Sequence, residues 1–207
     1  MNTEGILELK GKVLDENTKT TISNRKVIIH ALLKIDDEFM PIYAGYFITD
    51  SSGGFSYTLK KVKNVYWYEF NIIGDTAYAC LNNRISLGEL NMNGKYLSFS
   101  LDKFADFTIK INRVSKVPEL DTLYVTWVSN GIDGQSLYPY EIGNNWIDSK
   151  AGLRWIGGDI KSVIKTKVYA NKNTIVSWKL FRNGRYEKIM DTIFCLRDAS
   201  NVVYLKY

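Results

Sequence analysis

Residues 174–190 read TIVSWKLFRNGRYEKIM, in which two runs of alternating polar and apolar residues flank an Asn-Gly pair. Alternation with a period of two predicts β-strands that are buried on one face, because successive side chains of a strand point to opposite sides. Asn183-Gly184 is the preferred pair for a two-residue type I′ turn, in which both residues take positive φ. This stretch therefore predicts a β-hairpin with Trp178 in a hydrophobic core.

The same alternation describes most of the 207 residues, and helical periodicity is nearly absent. Five strand-length runs lie before residue 75 and are separated by clusters of turn-forming residues. Two further runs, Ile85 to Leu90 and Tyr96 to Leu101, flank Asn93-Gly94, which predicts another type I′ hairpin. The sequence thus predicts an all-β protein.

A boundary between two tandem sandwich domains, residues 1–103 and 104–207, is predicted near residues 101–106. The turn spacing changes there, and the whole net charge of +5 belongs to the second half. A chain of this length can form one large domain or two small ones. The lysines of the second half are spaced singly through strand-like runs, which favours solvated strand faces and argues against nucleic-acid binding.

The first half resembles the carboxypeptidase regulatory-like, transthyretin-type sandwich of many bacterial envelope proteins. The residues that carry this resemblance are 11–15 (GKVLD), 27–29 (VII), 49–56 (TDSSGGFS) and 87–90 (LGEL). Family members usually have a proline in the first turn, where this chain has Thr20-Thr21-Ile22. Asp50 is expected to cap its turn through its own side chain, and the glycines after it permit positive φ before Phe55 enters the core.

The second half resembles the Ig-like modules that end many Bacteroides-type surface or periplasmic proteins. The matching residues are 176–180 (VSWKL), 182–184 (RNG), 191–194 (DTIF) and 203–207 (VYLKY). Together the two resemblances imply tandem Ig-like and transthyretin-like β-sandwich domains in an exported envelope protein, with any leader segment removed before Met1. They imply a non-catalytic role in binding, adhesion or assembly, with a protein or glycan partner at the cell surface.

Residues at about 130–159 interrupt the strand pattern with a loop that is long for a compact domain. Asp148 to Ile156 is predicted as a short helix capped by Asp148 or Ser149. The aromatic rings of the loop either pack as a hydrophobic plug or form an exposed binding surface. In the alternative function they bind carbohydrate, whose C–H groups stack on flat aromatic faces. The candidate binding residues are Tyr138, Tyr140, Trp146 and Trp155.

The composition argues against an enzyme. The single histidine, His30, lies in an apolar run and is expected in the core or on a strand face. Cys80 and Cys195 are far apart and are predicted to be free, buried thiols. No metal or cofactor is expected, since residues 88–95 lack the spacing of a phosphate-binding loop and the turn aspartates lack EF-hand spacing. An enzyme with an atypical carboxylate site is the third alternative.

Three triplets resemble the Asp-Ser/Thr-aliphatic acceptor for O-glycosylation of exported proteins in Bacteroides-type bacteria. The predicted acceptors are Thr76, Thr122 and Thr192, each between an aspartate and an aliphatic residue. Asp-Thr before an aliphatic residue is also an ordinary way to begin a strand. The sequence contains no run of about 18 apolar residues, so no transmembrane segment is predicted.

Overall fold

The computed structural model describes residues 3–92, 96–114, 121–129, 139, 141–143, 146–149, 152–157 and 160–206. The chain divides into two compact units, Met1–Lys103 and Phe104–Tyr207. Each unit has two β-sheets and its own hydrophobic core. The all-β sandwich class predicted from the alternation is therefore confirmed.

The first unit combines a three-stranded sheet, in the order β4-β1-β7, with a four-stranded sheet, in the order β3-β2-β5-β6. Side chains from both sheets form its core, in which Leu9, Phe70 and Phe99 are at most 1% exposed. Its elements are β1 (Thr3–Asp15), β2 (Lys26–Ile35), β3 (Glu38–Ile48), β4 (Gly54–Val62), β5 (Val65–Ile72), β6 (Leu81–Ser86), α1 (Leu87–Met92) and β7 (Tyr96–Leu101).

The turn before β4 is organised by Asp50, as predicted. One of its carboxylate oxygens accepts hydrogen bonds from the backbone N–H of Ser52 at 2.8 Å and of Gly54 at 2.9 Å. The Ser52 hydroxyl donates to the same oxygen at 2.7 Å. Gly53 has a φ of +76°, a conformation that favours glycine. The DSSGG cluster is thus a turn, and its carboxylate serves the backbone.

The hairpin predicted around Asn93-Gly94 is wrong. β6 is followed by α1, and β7 pairs in parallel with β1 rather than with β6. Ser86 and Glu89 start this helix with a reciprocal capping box. The Ser86 hydroxyl accepts from the Glu89 N–H at 3.2 Å, and a Glu89 carboxylate oxygen accepts from the Ser86 N–H at 2.8 Å. Residues 93–95 lie outside the described residues.

The second unit combines a four-stranded sheet, in the order β10-β13-β8-β16, with a five-stranded sheet, in the order β11-β12-β9-β14-β15. Its last strand, β16, runs parallel to its first, β8, as β7 does to β1. Its strands are β8 (Phe104–Asn112), β9 (Asp121–Ser129), β10 (Glu141–Ile142), β11 (Ile147–Ser149), β12 (Gly152–Gly157), β13 (Lys161–Tyr169), β14 (Lys172–Arg182), β15 (Arg185–Cys195) and β16 (Asn201–Lys206).

The hairpin predicted at residues 174–190 is confirmed. Asn183 and Gly184 have φ values of +49° and +70°, as a type I′ turn requires, and Arg182 pairs with Arg185. Trp178 is 7% exposed and belongs to the core of the second unit.

The predicted helix over 148–156 is wrong, because β11 and β12 pair there as antiparallel strands. β12 also pairs with β9, so the long loop contributes two strands to the five-stranded sheet. The physical reason is alternation: Leu153 and Trp155 are buried, whereas Ile156 is exposed. A period of two over so few residues is easily mistaken for part of a helical turn.

Candidate binding face

The structure describes two of the four aromatic residues proposed as a binding site. Trp155 is buried, 6% exposed, in the core of the second unit. Trp146 packs against the same core, and its indole N–H donates to the Ser162 hydroxyl at 2.9 Å. Tyr138 and Tyr140 lie outside the described residues. The two described rings thus serve packing, and an aromatic groove formed by all four residues stays a prediction.

The three predicted glycosylation acceptors have different surroundings. Thr76 is exposed in a turn in which an Asp75 carboxylate oxygen accepts hydrogen bonds from the backbone N–H groups of Ala77 and Tyr78. Thr192 is exposed on β15, whereas Thr122 is half-buried in β9. Modification of these threonines stays a prediction.

The histidine and the two cysteines noted in the sequence all lie among the described residues. His30 is half-buried on a strand face, as expected, with its Nδ1 3.1 Å from the Asn71 amide nitrogen. Cys195 is buried, and burial raises the pKa of its thiol. A hydrogen bond with Thr174 opposes this shift but does not reverse it. Cys80 is exposed, so the prediction of a buried thiol is wrong at that position.

The five-stranded sheet has a side opposite its core, which we call the outer face. The pairing register aligns side chains on this face in rows that cross several strands. One row contains Ile156, Thr122, Phe181 and Tyr186. The next row contains Ile147, Arg154, Tyr124, Lys179 and Lys188. An aromatic row therefore lies beside a cationic one.

Large apolar side chains are exposed across the outer face. Each of them is at least 39% exposed: Val128, Ile147, Ile156, Phe181, Tyr186, Met190 and Phe194. Soluble monomers rarely expose apolar side chains over a continuous surface, and such patches commonly mark interaction sites.

A depression of about 370 Å³ lies at one end of the outer face, where the two rows meet. It is lined by Thr122, Tyr124, Lys179, Phe181 and Tyr186. The Nε of Arg154, in the cationic row, is buried, and no described residue accepts a hydrogen bond from it. The depression thus offers aromatic surface, a hydroxyl and neighbouring cations, a combination suited to a partner with apolar and acidic groups.

A buried ion pair fixes the strands that carry this end of the face. Asp121, the first residue of β9, is fully buried, and its two carboxylate oxygens accept from the Arg182 guanidinium at 2.6 and 2.7 Å. Arg113 Nε lies 3.1 Å from the same carboxylate. The bidentate contact holds the start of β9 against the end of β14, directly beside Thr122 and Phe181.

Within the described ranges, no group of three or more His, Cys, Asp and Glu side chains is placed to hold a metal ion. The helical part of those ranges contains no segment that is both long and apolar enough to cross a membrane.

Comparison with known proteins gives similarity in structure only. No family model matches the chain, and no curated protein matches it. The D295N mutant of the shaft pilin SpaA from Lactobacillus rhamnosus GG is 11% identical, with 98% of each chain covered and a TM-score of 0.39. A streptococcal ancillary pilin is 10% identical over 97% of this chain and 62% of that one, with a TM-score of 0.37.

The full-length major pilin SpaD from Corynebacterium diphtheriae is 7% identical, with 93% of this chain and 65% of that chain covered and a TM-score of 0.36. The similarity does not extend to what the chain binds.

Proposed function

We propose that the chain is a non-catalytic, exported envelope protein that binds a protein partner through the outer face of its second unit. The observation that carries this proposal is the exposed aromatic row, with Phe181 and Tyr186, beside the cationic row that contains Lys179. Aromatic side chains supply contact area at low entropic cost, and neighbouring charges supply orientation and specificity. The partner would present apolar and acidic side chains.

Export and adhesion or assembly are the parts of the proposal that the sequence resemblances support. Both halves resemble modules of bacterial envelope proteins, through motifs such as residues 49–56 and 176–180. Fractionation of the source cells, followed by detection of the chain with an antibody, tests this part. Recovery in the cytoplasmic fraction alone would contradict it.

The binding part is tested with labelled full-length protein and intact envelopes of the source cells. The double variant Phe181→Ser with Lys179→Ser removes a ring and a cation from the depression without altering β15. We expect this variant to lose binding, whereas Tyr204→Ser, which removes a 60% exposed ring from β16 in the other sheet, should keep it. Equal binding by both variants would exclude the outer face.

Carbohydrate binding is the second candidate function. The observation in its favour is that the depression combines exposed rings with the Thr122 hydroxyl and Lys179, since sugars stack on aromatic faces and form hydrogen bonds with such groups. Protease treatment of the envelopes separates the candidates, because a protein partner is destroyed and a glycan survives. Titration of the chain against a glycan array identifies the sugar in the second case.

A further inference from the structure

We propose that the second unit forms a symmetric dimer in which β15 pairs antiparallel with β15 of a second copy. This inference rests on the proposed assembly function, and it names a second copy as the partner at the sheet edge. The joined sheet would be continuous across the two copies, with the outer face on the same side in both.

β15 is a long and regular strand at the edge of its sheet. It spans 11 residues, and its register with β14 runs without a bulge from Arg185 to Cys195. No strand in the described part of the chain pairs with its other side. Proteins usually protect long edge strands with proline, bulges, charged side chains or covering segments, because free peptide groups attract another strand, and β15 has charged side chains but neither a proline nor a bulge.

The turn geometry determines which peptide groups of β15 point to the free edge. A two-residue turn closes on a hydrogen-bonded pair, here Arg182 with Arg185, and such pairs alternate with non-hydrogen-bonded ones. Odd-numbered residues of β15 therefore bond to β14. Even-numbered residues point their N–H and C=O groups outward: Tyr186, Lys188, Met190, Thr192 and Phe194.

One of these outward groups already has a local partner. The Thr192 N–H donates to the Asp191 carboxylate at 2.8 Å. A second strand would displace this contact and supply a backbone carbonyl in its place. The exchange replaces one hydrogen bond with another, so it is a small obstacle to pairing.

The exposed apolar side chains of β15 are placed symmetrically along the strand. Tyr186, Met190 and Phe194 lie four residues apart on the outer face and are 59%, 55% and 55% exposed. Antiparallel pairing about a two-fold axis at Met190 sets Met190 against Met190 of the second copy. It also sets Tyr186 against Phe194 twice, and aromatic pairs directly across two strands are favourable.

Charge selects the same register. With the full strand paired, Lys188 faces Thr192, and Glu187 faces Ile193. A slip by two residues in one direction sets Glu187 against Asp191, and a slip in the other direction sets Asp191 against Asp191. Like charges directly opposite each other destabilise a strand pair. Both two-residue slips therefore set carboxylates opposite each other, and the register with the longest overlap does not.

The first test is the oligomeric state of the full chain as a function of concentration, measured by sedimentation. Lys188→Pro should abolish the dimer, because proline removes an outward N–H without breaking a bond to β14. Lys188→Ala is the matched control and should keep the dimer. A melting temperature of Lys188→Pro equal to that of dilute, monomeric wild type would show that the fold is intact. A wild-type chain that stays monomeric up to millimolar concentration overturns the inference.

Disulfide formation provides a second test that does not depend on the proline variant. In a Cys80→Ser background, Met190→Cys should form a covalent dimer, because Cα atoms of a hydrogen-bonded pair lie about 5.5 Å apart, within disulfide range. Lys188→Cys should not, since four residues, or roughly 13 Å, would separate the two thiols along the strand. Equal crosslinking of the two variants would overturn the proposed register.

The outcomes also separate this inference from the proposed function. If the chain is monomeric while Phe181→Ser with Lys179→Ser still abolishes envelope binding, only the dimer fails. If Met190→Cys crosslinks selectively while the outer-face variant binds envelopes normally, the dimer stands and the docking face fails.

Discussion

The hairpins β2–β3 and β14–β15 follow one plan in the two units, yet their outer edges differ. Both close on two-residue turns with positive φ at each position, +49° and +67° at Asp36 and Asp37, and +49° and +70° at Asn183 and Gly184. Both place their second strand at the edge of a sheet. The position of a residue relative to the turn can therefore be compared directly between them.

Among the described residues, the edge of β3 carries two protective backbone features that β15 lacks, a proline and a register shift. Pro41, the fourth residue of β3, pairs with Leu32 at a non-hydrogen-bonded position, so its missing N–H faces outward. The register then shifts near Gly45, which marks a bulge. β15 has Lys188 as its fourth residue and no register shift.

Apolar exposure does not distinguish the two strands, because Met40 and Tyr43 of β3 are 50% and 55% exposed. The difference lies in the backbone. A proline and a bulge hinder the pairing of an edge strand with another chain even where its exposed side chains are apolar.

The largest loss of stability is expected from a substitution in the core beneath the second hairpin. Trp178 of β14 and Ala31 of β2 have the same position relative to their turns, and both are buried. Trp178→Ala gives the second hairpin the small residue that the first one has, but without the packing that surrounds Ala31. We expect a loss of about 3–5 kcal/mol in the free energy of unfolding of the second unit, measured by urea titration.

If the two units also fold independently, as the sequence predicts, the transition of the first unit should keep its midpoint in this variant. Phe70→Ala, in the first core, is the reciprocal variant and should shift only the other transition. A single transition that moves in both variants would show that the units unfold together.

A smaller effect is expected in the turns. Gly184 has a φ of +70°, and no atom lies within 4 Å of a Cβ built there, so Gly184→Ala tests backbone strain alone. We expect a loss of about 1 kcal/mol in stability, measured by thermal unfolding. Gly184→Asn should lose less, because asparagine tolerates positive φ, as Asp37 shows for aspartate in the first hairpin. An unaffected Gly184→Ala variant would contradict the strain argument.

The two hairpins should also differ in their response to acid, because a half-buried carboxylate lies beside the first one. Glu69 of β5 pairs with His30 of β2, and the corresponding residue of β14 is Ser177. Burial raises the pKa of Glu69, but hydrogen bonds from Arg84 and Asn71 outweigh it, so the pKa is lowered from its usual 4.5. A carboxyl with a lowered pKa stabilises the fold above its unfolded pKa, and this contribution disappears as the pH falls through the folded value.

Thermal unfolding of the full chain between pH 6 and pH 3 checks this prediction. Glu69→Gln should lower the melting temperature at pH 6 and make it less dependent on pH below about pH 4.5. Glu187→Gln removes an exposed carboxylate of β15 and is the matched control for the loss of one carboxylate, so the Glu69→Gln curve is compared with it as well as with wild type. A Glu69→Gln variant with the wild-type pH dependence would show that this carboxylate contributes nothing.

Local patterns predicted the strands of both hairpins and the Asn183-Gly184 turn, because alternation and turn chemistry depend on neighbouring residues. They did not predict that β7 pairs with β1, since that contact joins distant segments. The capping box of Ser86 and Glu89 was present in the sequence, and the alternation around it concealed the helix.

The outer face could not be predicted in the same way. It depends on the register that sets Thr122 beside Phe181. It also depends on which side of the five-stranded sheet is not covered by the four-stranded sheet of the same unit. Alternation shows that Tyr186 and Met190 share a side of their strand. It cannot show that this side is exposed.

The smallest effect on stability is expected for Pro41→Lys, which gives the edge strand β3 the residue that β15 has at the same position. This variant restores an outward N–H at the fourth position of β3, while the bonds between β3 and β2 are unchanged. Because the side chain is exposed, the free energy of unfolding should change by no more than about 0.5 kcal/mol. Self-association, measured by light scattering, should nevertheless increase, since Phe39 and Tyr43 flank the restored group and are exposed. If Pro41→Lys does not associate more than wild type, the bulge near Gly45 is sufficient to protect this edge, and the contrast with β15 depends on that bulge rather than on the proline.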